Sequence, residues 1–139
     1  MDLYRIKIFN FSKIQEKHGY YIDSHEDNYF PDDDENISFV RCHIIYDDIM
    51  YIFIKSDEYK INKLINLLNG RVNYQIDDVT EQLIKNKNIE GLNIIKNKEF
   101  FNDFRLNYMS IDDVLDKINE YGFNKLDDID ICVLKKGDN

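Results

Sequence analysis

The side chains best suited to chemistry are concentrated in residues 23–36, which carry seven carboxylates and no lysine or arginine. Carboxylate oxygens can bind a hard cation or attract a basic protein surface. The segment also holds the chain's only proline, Pro31, and has no periodic apolar pattern, so it is predicted to be a loop. It is longer than most connections in compact domains, which is typical of functional or disordered loops.

Part of this segment resembles a calcium-binding loop in its spacing but lacks two diagnostic residues. Asp32, Asp34 and Asn36 match the first, third and fifth ligand positions of an EF-hand. The sixth position, which requires glycine for a sharp turn, is Ile37, and the twelfth, which requires a bidentate glutamate, is His43. The sequence therefore predicts no metal site here and favours a solvated loop.

Histidine offers a second kind of chemistry. His25 lies among Asp23, Glu26 and Asp27, whose charges would raise the pKa of its imidazole and suit it to act as a base or a transition-metal ligand. A small enzyme or a metal- or ligand-binding module using His25 is therefore one functional alternative. The other two histidines, at positions 18 and 43, are too scattered to extend that site.

The sequence contains no pattern typical of nucleophilic catalysis or of phosphate binding. Cys42 adjoins His43, but neighbours on a strand point to opposite faces and could not form the hydrogen bond that activates a thiol. Cys42 and Cys132 are each flanked by apolar residues and are predicted to be reduced core thiols. The five glycines are widely dispersed, so no phosphate-binding loop is predicted. Because the sequence contains no catalytic or cofactor motif, no catalytic residue and no cofactor are predicted either.

Aromatic residues accompany the acids and favour recognition of a protein. Tyrosine contributes a large contact area with a polar tip, and carboxylates steer a basic partner. The predicted partner-binding residues are Tyr20, Tyr21, Asp23, Glu26, Asp27, Tyr29, Phe30, Asp32, Asp33, Asp34 and Glu35. This mixture is typical of immunity proteins, antitoxins and phage inhibitors that block basic clefts. A solvated loop whose tyrosines pack on the core, or a structural or regulatory subunit of a larger assembly, are the remaining alternatives.

The net charge and the composition limit the classes of partner that the chain is expected to bind. The 139 residues carry a net charge of −9, which disfavours nucleic acid and anionic membranes because both repel it. With 43% hydrophobic residues the chain is able to form one core. Residues 1–5 lack a secretory signal pattern and no apolar run is long enough to span a membrane, so a cytoplasmic protein is expected. The oligomeric state is left open.

The element pattern predicts an α+β fold. Alternating apolar residues predict strands at residues 3–9, 37–46, 49–54 and 72–76, with helices after the first and third strands. This β-α-β-β-α-β order over residues 1–77 is that of the ferredoxin-like, four-stranded antiparallel sheet. Tyr51 and Phe53 on that sheet could stack on RNA bases, although core packing is the favoured interpretation because no basic residues surround them.

A helical extension, residues 78–139, is predicted to pack on or beside the sheet within a single domain of residues 1–139. On its principal helix, Ile111, Val114, Leu115 and Ile118 are predicted to form the buried face. Predicted helix caps along the chain are Ser12 with Gln15, Ser56, Asp78 with Glu81, and Ser110 with Asp113.

One stretch resembles a known packing unit. Leu115-Asp116-Lys117-Ile118 is followed by Gly122, Leu126, Asp130 and Leu134. The pattern, over residues 110–136, is similar to a C-terminal helical hairpin of many bacterial proteins, particularly of Bacteroidetes type. Lys125 stands where that hairpin usually has a serine cap, and Ile129 where it usually has an acid. The resemblance implies a packing unit and a source lineage, and it covers no catalytic residue.

Overall fold

The computed structural model describes residues 2–13, 40–70 and 72–137. The chain forms two compact units, Met1–Asp78 and Val79–Asn139, which are described separately below. In the described part of the chain no helix is long and apolar enough to cross a membrane.

The first unit contains a four-stranded antiparallel sheet. Its strands are β1 (Asp2–Ile8), β2 (Val40–Tyr46), β3 (Ile49–Ser56) and β4 (Tyr74–Asp78). Their order in the sheet is β2-β3-β1-β4, and every neighbouring pair is antiparallel. Helix α1 (Glu58–Leu68) connects β3 to β4. The α+β class and the sheet are therefore confirmed, and the strand order is that of the split βαβ arrangement.

The core of the first unit forms between α1 and one face of the sheet. Successive strand residues point to opposite faces, so every second residue of β1 and β3 faces this core. From the helix, Ile61 and Leu64 are buried against it, and burial of each such side chain stabilises the fold by about 1.5–3 kcal/mol. The buried strand residues are Ile6, Ile8, Met50, Ile52 and Ile54.

The opposite face of the central strands is also buried. Leu3 and Phe53 are fully buried, and Tyr51 is 3% exposed. Stacking on a base requires an accessible ring face. Tyr51 and Phe53 are therefore core residues, as the favoured interpretation of the sequence held, and they are not available to single-stranded RNA.

The turn between β2 and β3 is hydrogen-bonded to the helical segment at residues 11–13. Asp47 and Asp48 have φ angles of 53° and 59°, which are the positive values of a type I′ hairpin turn. The Asp48 carboxylate accepts hydrogen bonds from the backbone amide of Ser12 (2.8 Å) and from its hydroxyl (3.0 Å). Residues 11–13 are already helical, so the prediction that Ser12 is a helix cap is wrong.

Two other predicted caps are displaced by one residue. Helix α1 is capped by Asp57, whose carboxylate accepts from the Lys60 amide (2.8 Å), whereas Ser56 is the buried last residue of β3. Helix α2 (Thr80–Ile84) begins after Val79 without a side-chain cap, because Asp78 is still part of β4. In both cases the strand extends further than the sequence pattern indicated.

The second unit is helical. After α2 it contains α3 (Glu99–Tyr108), α4 (Ile111–Tyr121) and α5 (Asp128–Gly137), with short 3-10 turns at Leu92–Ile94 and Phe123–Lys125. The capping box of Ser110 and Asp113 at the start of α4 is confirmed in both directions. Gly122 ends α4 with φ 88° and ψ 158°, a conformation essentially restricted to glycine. Met109, Val114 and Val133 form one hydrophobic cluster in the core of this unit.

Candidate functional site

The site predicted from sequence lies outside the described residues. All eleven predicted partner-binding residues and His25 fall within residues 14–39. Among the residues that are described, no three His, Cys, Asp or Glu side chains lie close enough together to hold a metal ion. His43 is half-buried on β2, and Cys132 is exposed on α5, so the prediction that Cys132 is a core thiol is wrong.

The described residues present a different surface, on helix α4. Ile111 and Leu115 were expected in its buried face, but they are 38% and 45% exposed. The side of α4 that is buried carries Val114 and Lys117 instead. Large aliphatic side chains four positions apart lie next to each other along a helix, so the exposed pair forms one apolar strip.

A row of carboxylates runs beside this strip. Asp112, Asp116 and Glu120 are spaced four residues apart, which places them along the same exposed side of the helix. Like charges at this spacing destabilise a helix slightly, so the row adds nothing to the stability of α4 itself. We call the strip and the row together, namely Ile111, Asp112, Leu115, Asp116 and Glu120, the α4 surface.

Exposed aromatic residues flank both ends of α4. Tyr108 precedes the helix and is 41% exposed, with its ring stacked on Phe104 at a centroid distance of 5.1 Å. At the other end, Tyr121 is the last residue of the helix and Phe123 lies just beyond it, and both are exposed. A hydrogen bond to Glu120 raises the pKa of the Tyr121 hydroxyl. The composition of this region, acids together with aromatic and aliphatic side chains, suits contact with another protein.

A buried ion network fixes the rotation of α4. The Lys117 ammonium donates to both oxygens of Asp130, at 2.8 and 3.0 Å, and Asp130 on α5 is fully buried. Arg105 on α3 donates to Asp130 (3.0 Å) and to both oxygens of Asp127 (2.6 and 3.0 Å). Because Lys117 must face these carboxylates, Ile111 and Leu115 on another side of the same helix face outward.

Asp127 also caps α5. Its carboxylate accepts from the Asp130 amide (3.0 Å), and its own amide donates to the Asp130 carboxylate (3.1 Å). Partial burial by itself would raise the pKa of Asp127. The hydrogen bonds from Arg105 and from the Asp130 amide, together with the guanidinium charge, outweigh that effect and hold the pKa well below its ordinary value of 3.8.

A second acidic group lies in the first unit, around the half-buried Tyr4. Desolvation raises the pKa of the Tyr4 hydroxyl, and the charges of Asp2, Asp78, Glu58 and Asp57 raise it further. Asp57 already serves as the cap of α1, so part of this cluster has a structural role. The α4 surface differs because its carboxylates lie beside exposed apolar area.

No family model, no curated protein and no solved structure matches this chain significantly. The α4 surface is therefore identified by its geometry and its chemistry.

Proposed function

We propose that this chain is a non-catalytic acidic binding protein that contacts a basic protein through the α4 surface. The observation that carries the proposal is the exposure of Ile111 and Leu115 beside the carboxylates of Asp112 and Asp116. An immunity protein, an antitoxin or a phage-type inhibitor, acting in the cytoplasm, is the most concrete form of this function.

Two physical effects support this assignment. Apolar side chains at the centre of an interface contribute affinity when a partner covers them, because water is released from both surfaces. Carboxylates at the rim accelerate the encounter with a positively charged partner and repel nucleic acid and anionic membranes. The α4 surface combines both, with Leu115 offering contact area and Asp112 and Asp116 offering charge.

The acidic segment at residues 23–36 is proposed as a further contact with the basic partner. Its seven carboxylates account for much of the net charge of −9. Charges spread over a larger area than one helix increase long-range attraction and so the rate of association.

The test is affinity purification of the tagged protein from its native host. An α4 variant, with Asp112→Asn, Leu115→Ser and Asp116→Asn, should lose the captured partner while remaining folded. The matched control is Glu99→Gln with Asp103→Asn, which removes the same charge from exposed positions four residues apart on α3. The control should retain the partner.

A separate variant tests the acidic segment, with Asp32→Asn, Asp33→Asn, Asp34→Asn and Glu35→Gln. Weaker capture than wild type would support its contribution. If the α4 variant captured the same partner as strongly as wild type, the proposed role of α4 would be wrong. Loss of bound metal on His25→Ala would instead favour a metal-binding module.

A further inference from the structure

The α4 surface belongs to a helix whose ends and rotation are both fixed. The capping box of Ser110 and Asp113 sets its first turn, and Gly122 ends it. The Lys117 ammonium donates to both oxygens of the buried Asp130, which holds the buried side of α4 inward. The α4 surface is therefore presented in one orientation before a partner arrives, so little conformational entropy is lost when it binds.

The apolar strip and the acidic row of this surface lie side by side along the helix axis. At about 100° of rotation per residue, Ile111 and Leu115 lie about 40° apart around the axis. Asp112, Asp116 and Glu120 follow on one side of that strip, about 60–140° beyond Leu115. All five residues are exposed. A partner must therefore match an apolar strip that carries a line of negative charge along its side.

The backbone of α4 offers a partner no hydrogen bonds between the two ends of the helix. There the amides and carbonyls of α4 bond to one another. An extended segment laid on the strip would lose water from its own amides and carbonyls and gain no strand pairing in exchange. A helical segment satisfies these groups internally, so it can cover Ile111 and Leu115 without that cost. The α4 surface therefore favours a helix as its partner.

We propose that the α4 surface binds an amphipathic helix of the basic partner, an inference that rests on the function proposed above. Apolar residues of that helix, three and four positions apart, would pack on Ile111 and Leu115, with lysine or arginine residues four positions apart beside the acidic row. The row from Asp112 to Glu120 is about 12 Å long, so a partner helix of about three turns covers it. A second copy of this chain is a poor occupant, because it would bring a further net charge of −9.

The probe is an end-capped peptide of about 14 residues, with leucines on one face of a helix, lysines along one side of that face and alanine elsewhere. In an NMR titration of the ¹⁵N-labelled full chain, the peptide should cause saturable amide shifts centred on residues 111–120. The circular dichroism of the mixture should show more helix than the sum of the two components, because the bound peptide is ordered. Raising the salt concentration from low to physiological should weaken binding about fivefold, because the charge pairs are exposed.

Altered peptides and protein variants separate the contributions of helix, charge and location. A proline in place of the central alanine prevents one continuous helix and should weaken binding about tenfold. Glutamate in place of every lysine reverses the charge of the peptide and should abolish binding. The α4 variant, with Asp112→Asn, Leu115→Ser and Asp116→Asn, should also abolish binding. The control variant, Glu99→Gln with Asp103→Asn, should bind the peptide within about twofold of wild type, because exposed charges outside the contact contribute little.

The proposal is overturned if the peptide causes no saturable shift, if the proline peptide binds as tightly as its parent, or if the control variant loses binding as fully as the α4 variant. In each of these cases capture of the native partner can still depend on α4, and the proposed function then stands without a helical partner. If capture of the native partner does not depend on α4, the proposed function is itself wrong and this proposal falls with it.

Discussion

At the scale of single residues, the buried carboxylate of Asp130 holds three helices of the second unit together. It accepts hydrogen bonds from Lys117 and Arg105, and so connects α5 to both α4 and α3. Removing one member of a buried ion network leaves an uncompensated charge away from water, which is more costly than loss of an exposed pair. Asp130 therefore determines which side of α4 is presented to solvent.

Replacement of this carboxylate gives a prediction for stability. Asp130→Asn keeps the size of the side chain but leaves Lys117 buried without a counter-charge, and should reduce the free energy of unfolding by about 3–5 kcal/mol. The measurement is urea denaturation. Asp128→Asn, an exposed position in the first turn of the same helix, is the control and should change stability little. Equal effects of the two substitutions would contradict the assigned role.

Asp127 gives a prediction for pH dependence. Its pKa is lower in the folded chain than in the unfolded chain, so its stabilising contribution is complete above the ordinary carboxyl pKa and is lost as the pH falls. The difference in unfolding free energy between wild type and Asp127→Asn should therefore shrink from about pH 5 to about pH 2.5. Urea titrations at several pH values measure this. A difference that stays constant over that range would show that the ionised carboxylate is not responsible.

The sequence could not reveal this network for a physical reason. Lys117 and Asp130 are 13 residues apart, and Arg105 and Asp130 are 25 apart, so no helical spacing relates them. A charged residue on an amphipathic helix is usually solvated, and the spacing of the apolar residues predicts that Ile111 and Leu115 are buried. Lys117 and Asp130 both occur in the stretch from Leu115 to Leu134 noted in the sequence, but that pattern by itself does not place them in contact.

At the scale of elements, local signals were reliable where both partners of an interaction lie close in sequence. The capping box of Ser110 and Asp113 was predicted and is present. The prediction that Ser12 caps the helical segment at residues 11–13 was wrong. The carboxylate that accepts from the Ser12 amide belongs to Asp48, which is 36 residues away in the sequence. The strands were recognised from alternation, but their ends were not, because pairing with a neighbouring strand carried β3 and β4 further than their own patterns indicated.

The β2–β3 turn gives a prediction at this scale. Glycine adopts positive φ without strain, so Asp47→Gly should leave stability unchanged or slightly increased. Asp48→Gly gains the same relief but loses the carboxylate that accepts from Ser12, and should be less stable than Asp47→Gly by about 1 kcal/mol. Chemical denaturation of the two variants measures the difference. Identical stabilities would show that the bonds from Ser12 contribute nothing to folding.

At the scale of the whole molecule, the negative charge that is evident from the composition can be assigned to particular segments of the chain. The sequence placed it in residues 23–36, whereas the described structure adds the row of Asp112, Asp116 and Glu120. The sequence spacing of four residues is enough to recognise that row. The sequence does not show that the row lies beside exposed apolar area, because the exposure of Ile111 and Leu115 depends on how α4 packs.

The central claim is that the α4 surface binds a basic protein, and the association rate with the captured partner tests it most directly. Asp112→Asn with Asp116→Asn should slow association roughly tenfold at low ionic strength, and salt should remove the difference, because both steering charges are exposed. Glu99→Gln with Asp103→Asn is the control and should associate almost as fast as wild type. Association of the Asp112→Asn, Asp116→Asn variant at the wild-type rate, with the wild-type dependence on salt, would contradict the claim.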